Sequence, residues 1–187
     1  MYPARIFTLP QAIFTTMIKE IRAHYNKNFT AAAYQKMLDW MVEQCGEAPR
    51  FHVAETPVFL PATLKQRLLE AAADVTKVVA QPGFAARAAA ALPPGLAVLR
   101  RDDKPLFLQV DFALCYDAQG SVVPQLIEAQ GFPSLYYFQN LLHTGYRTFF
   151  NLPPGYQTFF NGYSSESYLA LLKQCILAEE DPAHVIL

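Results

Sequence analysis

Two apolar runs between Gln109 and Gln130 carry polar side chains that could do chemistry. Asp111 lies in the first run, and Glu128 and Gln130 lie in the second. A carboxylate within an apolar strand is costly to desolvate unless a metal ion or a cationic group pairs with it. Hard divalent cations take oxygen ligands, and Mg²⁺ commonly combines one or two carboxylates with water and substrate phosphates. These residue types therefore indicate a Mg-nucleotide site, although a hairpin with an ordinary solvated acidic face has the same pattern.

The elements that position these side chains are two predicted strands. Apolar and other residues alternate over 106–116, which predicts a strand with Gln109 and Asp111 on one face. Residues 117–120 (DAQG) are typical of a hairpin turn, and 122–129 predict the return strand. Counting outward from the turn places Asp111 opposite 126–128, so both acids are expected to lie on one face.

The order of these features resembles the circularly permuted ATP-grasp ligases, and the glutathionylspermidine-synthetase-like proteins in particular. The resemblance consists of Val110-Asp111-Phe112, the Asp and Gly of the turn, Leu-Ile-Glu-Ala-Gln at 126–130, and the Gly-Phe-Pro-Ser segment at 131–134. It covers roughly a sixth of the chain. It implies an ATP-dependent carboxylate–amine ligase with Mg²⁺ and ATP as cofactors, and nucleotide, carboxylate and amine molecules as partners.

The resemblance also implies roles for individual residues. Asp111, Glu128 and Gln130 would be the metal ligands, and Ser134 would lie in the turn beside the substrate. Two positions depart from the family pattern: Gln130 stands where the family has Asn, and Gln109 where it has Arg. Gln109, at the position of the family's Arg, is therefore predicted to contact substrate. Arg100 and Arg101 could replace the missing Arg and are predicted to contact substrate as well.

The first half of the chain is predicted to be helical. Apolar residues recur at helical spacing over 11–25, 29–45 and 61–80, and a short Ala-rich helix is expected over 81–92. Thr30 is a plausible N-cap and Gly46 a plausible C-terminal stop for the second helix. A short strand is possible at 58–60.

The second half is predicted to combine the hairpin with flanking helices over 135–142 and 164–177. The fold class is therefore α+β, with a mostly helical region at 1–95 and a hairpin-containing region at 96–187. Residues 185–187 (VIL) have the composition of a buried strand. We therefore expect the sequence to be the N-terminal portion of a longer ATP-grasp-like protein.

The composition excludes some partners and favours others. A net charge of -1 provides no field for nucleic acid. No apolar run reaches the roughly 18 residues of a membrane span, and the N-terminus does not resemble a signal peptide. The three widely spaced cysteines favour a reducing, cytoplasmic location. The apolar fraction of 52% exceeds the usual value of about 45–50%, so self-association through an apolar surface is possible.

Other candidate residues have simpler explanations. Cys115 is interpreted as a buried structural thiol, and the aromatic block at 136–163 as helix-to-sheet packing in preference to a ligand pocket. The histidines have no metal-like spacing and are predicted to be surface or capping residues: His24, His52, His143 and His184. Two alternatives to the ligase remain: a non-enzymatic binding or assembly domain with a degenerate scaffold, and a structural pairing of Asp111 and Glu128 with Arg100 or Arg101.

Overall fold

The computed structural model describes residues 18–96, 105–132 and 135–185. Over these ranges the protein is α+β, with six α-helices and one two-stranded antiparallel sheet. The helices are α1 Lys19–Asn28, α2 Ala31–Cys45, α3 Ala62–Val79, α4 Phe84–Ala90, α5 Tyr136–Phe149 and α6 Ser165–Leu177, and the strands are β1 Gln109–Tyr116 and β2 Val122–Gln130. A 3₁₀ turn, Pro182–His184, follows α6.

The described residues form two compact units whose sequences are interleaved. The first unit contains 60–96 and 105–132, and therefore α3, α4 and the hairpin. The second contains Glu20–Phe59 and 135–185, and therefore nearly all of α1 together with α2, α5 and α6. The second unit is thus built from two stretches of chain separated by the first.

The core of the second unit lies where α2 packs against α5. Met37 and Met41 of α2 are fully buried. A Cβ atom on Gly145 of α5 would lie 3.1 Å from Met37 Cγ and 3.3 Å from Trp40 Cζ3, so glycine lets the two helices approach closely. Trp40 also contacts Phe149, with ring centroids 6.0 Å apart. The packing is therefore made of large side chains on α2 that fit against a small residue on α5.

Three tyrosine hydroxyls attach the loop after α2 to three different helices. Tyr25 of α1 donates a hydrogen bond to the backbone oxygen of Glu55 at 2.8 Å, and Tyr34 of α2 donates one to Val53 at 2.5 Å. Tyr146 of α5 donates to the backbone oxygen of Ala54. Three successive carbonyl groups thus have phenol partners, which satisfies backbone acceptors in a segment that has no regular secondary structure.

The helix ends follow from local side-chain chemistry. Thr30 Oγ1 accepts the N–H of Ala33 at 3.2 Å at the start of α2, and Gly46 ends the helix with φ 79°, a value that favours glycine. Ser164 begins α6 with a capping box in which Ser167 is the reciprocal partner. The predicted cap at Thr30 and the predicted stop at Gly46 are both confirmed.

In the first unit, α3 packs on the hairpin. Arg67 Nη1 donates a hydrogen bond of 2.7 Å to the backbone oxygen of Val122, the first residue of β2. This contact joins the helix to the strand that carries Glu128 and Gln130.

Some predicted boundaries differ from the structure. Helix α1 extends to Asn28 instead of ending at 25, and residues before 18 lie outside the described part. Residues 58–60 do not form a strand, because no neighbouring strand pairs with them within the described ranges. Helix α5 continues to Phe149, well past the predicted end at 142. Val185 is not in a strand, and 186–187 lie outside the described residues.

Candidate functional site

The turn of the hairpin fixes how the two strands align. Asp117 Oδ1 accepts the backbone N–H groups of Gln119 at 3.0 Å and Ser121 at 2.8 Å. Gly120 has φ 78°, a value that favours glycine at the end of such a turn. The predicted turn is therefore present, and its geometry comes from one carboxylate and one glycine.

A β-bulge brings the two candidate metal ligands to the same face. From the turn outward the pairing is regular as far as Phe112 with Leu126, and the next pair is Asp111 with Glu128. Ile127 is the extra residue. If the pairing continued without a bulge, Asp111 would pair with Ile127, and Glu128 would lie on the opposite face of the sheet. The bulge therefore sets the two carboxylates directly opposite each other, and paired residues in an antiparallel sheet share a face.

Two amide side chains complete the polar end of this face. Gln109 pairs with Gln130, two residues beyond the acid pair. Gln109 Nε2 also donates a hydrogen bond to Asp111 Oδ1 at 3.3 Å. All three predicted metal ligands thus lie at one end of the hairpin, with Gln109 beside them. We call these four residues (Gln109, Asp111, Glu128 and Gln130) the polar face.

The electrostatic problem at the polar face is repulsion between like charges. Asp111 is half-buried and Glu128 is exposed, so the desolvation that the sequence suggested is small. Like charges directly opposite each other across a strand pair are destabilising. Within the described ranges, neither carboxylate forms a salt bridge with a lysine or an arginine. A bound cation would relieve this repulsion.

Gly131 is required where the polar face ends. A Cβ atom on this residue would lie 2.7 Å from Pro105 Cβ and 3.5 Å from the backbone oxygen of Phe107. The two chain segments at the open end of the hairpin therefore approach more closely than any other residue at this position would allow. The resemblance places Gly131 at the start of the turn beside the substrate, and the structure shows it where these two chain segments approach most closely.

Several predicted site residues lie outside the part of the chain that the structure describes. These are Arg100 and Arg101, proposed to contact substrate, and Ser134, proposed to lie in the turn before α5. Within the described part, no group of three or more His, Cys, Asp or Glu side chains is arranged to hold a metal ion. The polar face offers two carboxylates and amide oxygens, a donor set that suits Mg²⁺ only together with water or phosphate oxygens.

The second unit contains a cavity lined in part by the aromatic block, for which the sequence favoured packing over a ligand pocket. It has a volume of about 390 Å³ and lies between α5, the loop that follows it and the start of α6. His143, predicted to be a surface or capping residue, lines this cavity and makes a 2.7 Å hydrogen bond between Nδ1 and Thr158 Oγ1. Tyr156, Phe159 and Tyr163 also line it. The aromatic block therefore contributes to a pocket as well as to packing.

Comparison with known proteins identifies no relative of this chain. No protein-family model, curated protein or solved structure matches this chain. The ATP-grasp resemblance therefore rests on the hairpin residues themselves. Among the described helices, none combines the length and the apolar composition needed to cross a membrane.

Proposed function

We propose that the protein is part of an ATP-grasp-type, ATP-dependent carboxylate–amine ligase whose Mg-nucleotide ligands lie on the hairpin. The observation that supports this proposal is the direct pairing of Asp111 with Glu128 across a β-bulge. Bulges often re-aim a side chain next to a functional site. Here the bulge sets two like charges opposite each other, and a cation between them would be attracted to both.

In such a ligase the terminal phosphoryl group of ATP is transferred to a substrate carboxylate. An amine then attacks the acyl carbon, phosphate leaves, and an amide bond forms. Bound Mg²⁺ supplies charge neutralisation at the phosphoryl group. Asp111 and Glu128 would hold the ion, Gln130 would offer an amide oxygen, and the hydrogen bond from Gln109 would keep the Asp111 carboxylate in place. Ser134 is assigned to the substrate by resemblance, Arg100 and Arg101 are proposed as replacements for the family's Arg, and a cytoplasmic location supplies the ATP.

The test is calorimetric binding of Mg-ATP to the full-length protein, with Mg²⁺ alone and ATP with EDTA as separate titrations. We expect binding that requires Mg²⁺ and weakens by at least roughly tenfold in Asp111→Asn and Glu128→Gln, because each removes one charged ligand. Glu70→Gln is the matched control, since it removes the same charge from α3 in the same unit. Equal affinity in all four proteins would overturn the metal assignment.

The exposed apolar side chains of the hairpin favour a second candidate, an assembly domain that self-associates. Leu126 is 53% exposed, Ile127 64% and Phe132 63%. Helix α3 packs on the hairpin but leaves these side chains exposed, and a second copy of the chain could cover them. Sedimentation velocity distinguishes the two candidates. An assembly domain would dimerise without nucleotide, and Ile127→Thr would shift it toward monomer, whereas the control Val78→Thr on α3 would not. A monomer at all concentrations would exclude self-association.

A further inference from the structure

The cavity of about 390 Å³ in the second unit has the size and lining of a small-molecule site. Small-molecule sites usually occupy roughly 300–1,000 Å³ and combine aromatic walls with a few placed polar groups. Here the aromatic groups are Tyr156, Phe159 and Tyr163. The polar side chains come from α5, from the loop after it and from the start of α6: His143, Arg147, Gln157, Thr158, Ser164 and Ser165.

The charge of this lining has one sign. Arg147 is the cationic member, and the lining contains no aspartate or glutamate. The Arg147 guanidinium donates a hydrogen bond to the backbone oxygen of Tyr156, which fixes it at the cavity wall. A guanidinium has five N–H donors in a planar fork that matches the oxygens of a carboxylate or a phosphate. This one hydrogen bond therefore positions the guanidinium and uses one of its five N–H donors.

The histidine is held next to this cation. His143 lies one helical turn before Arg147 on α5, its Nδ1 is hydrogen-bonded to Thr158, and its ring packs against Phe159 with centroids 5.2 Å apart. Burial, and secondly the charge of Arg147, lower the pKa of His143 below its usual value. The negative charge of an anion in the cavity would act in the opposite direction, because it favours the imidazolium.

The serine and threonine hydroxyls are held by bonds within the protein. Ser164 Oγ accepts the Ser167 N–H at 3.2 Å, and Ser165 Oγ donates to Asn140 Oδ1, a buried amide of α5. The start of α6 is thereby joined to the helix that carries His143 and Arg147. The walls of the cavity are preorganised, which lowers the entropic cost of binding.

We propose that this cavity binds a small oxyanion, a carboxylate or a phosphate monoester attached to a compact aromatic or apolar group, with Arg147 as its anchor. The proposal is independent of the hairpin and of Mg-ATP binding. Loss of one function in a variant therefore need not affect the other.

The experiment compares three probes that share a ring and differ in charge: phenyl phosphate, benzoate and the neutral benzyl alcohol. Each is titrated into the full-length protein, and the histidine side-chain NMR signals are followed, with His143→Gln identifying the signal of His143. We expect phenyl phosphate, benzoate or both to bind and to raise the pKa of His143, and benzyl alcohol to do neither. The tighter of the two anions identifies the class of ligand.

Variants then test the anchor. Arg147→Met should weaken binding of the anion by at least roughly tenfold, and Arg147→Lys, which keeps the charge and loses the fork, by less. Arg50→Met is the matched control: it removes an exposed arginine of the same unit outside this cavity and should leave affinity unchanged.

Any of three results would overturn the proposal. One is an Arg147→Met protein that is folded by circular dichroism and binds the anions as the wild type does. The other two require no variant: the wild type binds benzyl alcohol as well as the anions, or it binds none of the three probes. Arg147 would then serve only to fasten the loop at Tyr156.

Discussion

At the scale of single residues, the clearest physical signal is the set of three phenols that bond to successive carbonyls at 53–55. Burial raises the pKa of Tyr146 to about 12, and nearby Tyr34 adds to the shift. Burial also raises the pKa of Tyr25 well above its ordinary value. Each phenol must stay protonated to donate its hydrogen bond. Stability should therefore depend on pH in the alkaline range.

The first prediction concerns Tyr146→Phe. At pH 7 the variant should lose about 1–2 kcal/mol of unfolding free energy, because it loses the donor to the backbone oxygen of Ala54. In the wild type, the unfolded phenol ionises near its ordinary pKa of 10, whereas the folded one keeps its proton until about 12. Stability is therefore fully present below pH 10 and falls as the pH rises toward 12.

Urea unfolding between pH 7 and 11 measures both effects. Tyr146→Phe should lose less stability than the wild type over this interval, and Tyr137→Phe, an exposed position on the same helix, should behave as the wild type. An alkaline loss that is identical in all three proteins would contradict the assignment of the shift to Tyr146.

The second prediction concerns His143. Its folded pKa lies below the unfolded value of 6.5, so the unfolded chain binds the proton more readily. Stability from this residue is present above pH 6.5 and is lost as the pH falls through the folded pKa. Arg147 on the same helix, and Tyr156 and Tyr163 in the following loop, are the other titratable groups that line the cavity with it.

Chemical denaturation from pH 7.5 to 5 tests this. His143→Gln should flatten the decline of stability toward acid, whereas His52→Gln, at an exposed position of the same unit, should not. If the two variants have the same acid profile, the burial of His143 has no energetic consequence.

At the scale of elements, the packing of α2 on α5 depends on Gly145. We expect Gly145→Ala to remain within about 1 kcal/mol of the wild type, because better helix propensity offsets a contact of 3.1 Å with Met37. Gly145→Val should cost about 2 kcal/mol or more, since its two methyl groups would need still more room beside the fully buried Met37. Thermal unfolding of both variants measures the difference. A valine variant as stable as the alanine variant would show that the interface is loosely packed.

The sequence was sufficient to predict those elements whose causes are local. The side-chain cap of Thr30 and the left-handed conformation of Gly46 set the two ends of α2. Alternating apolar residues followed by a turn predict the hairpin. The bulge at Ile127 could not be predicted, because a strand pattern does not show which residue is left unpaired. The length of α5 was underestimated, because Gly145 weakens a helical pattern unless its partner Met37 is known.

At the scale of the whole molecule, the sequence was sufficient for the α+β class but not for the interleaving of the two units. Local periodicity carries no information about contacts between α2 and α5, which are far apart in the chain. The cavity beside Arg147 could not be predicted either, because its shape depends on how a helix, a loop and the next helix pack together. The available signal was the aromatic and hydroxyl-rich composition of 156–165, which predicts a pocket only once the packing is known.

The two units should differ in amide hydrogen exchange. The second unit has fully buried side chains at the α2–α5 interface, whereas the described strands of the hairpin are half-buried or exposed. Amides of α2 and α5 should therefore exchange more slowly than those of β1 and β2, by about tenfold or more, because local opening of the hairpin exposes less apolar surface. Hydrogen exchange by mass spectrometry measures this. Slower exchange in the hairpin would reveal a partner surface that covers it.

The interleaved units also impose an order on biosynthesis. Helix α2 leaves the ribosome long before α5, and all of α3, α4 and the hairpin are translated between them. At about 5–20 residues per second, the roughly 100 residues between Met41 and Leu141 delay the arrival of the partner helix by roughly 5–20 seconds. During that interval Met37, Met41 and Trp40 have no α5 to pack against. The nascent chain therefore exposes this apolar face of α2 while the first unit is still being made, and this is the stage at which chaperones would recognise it.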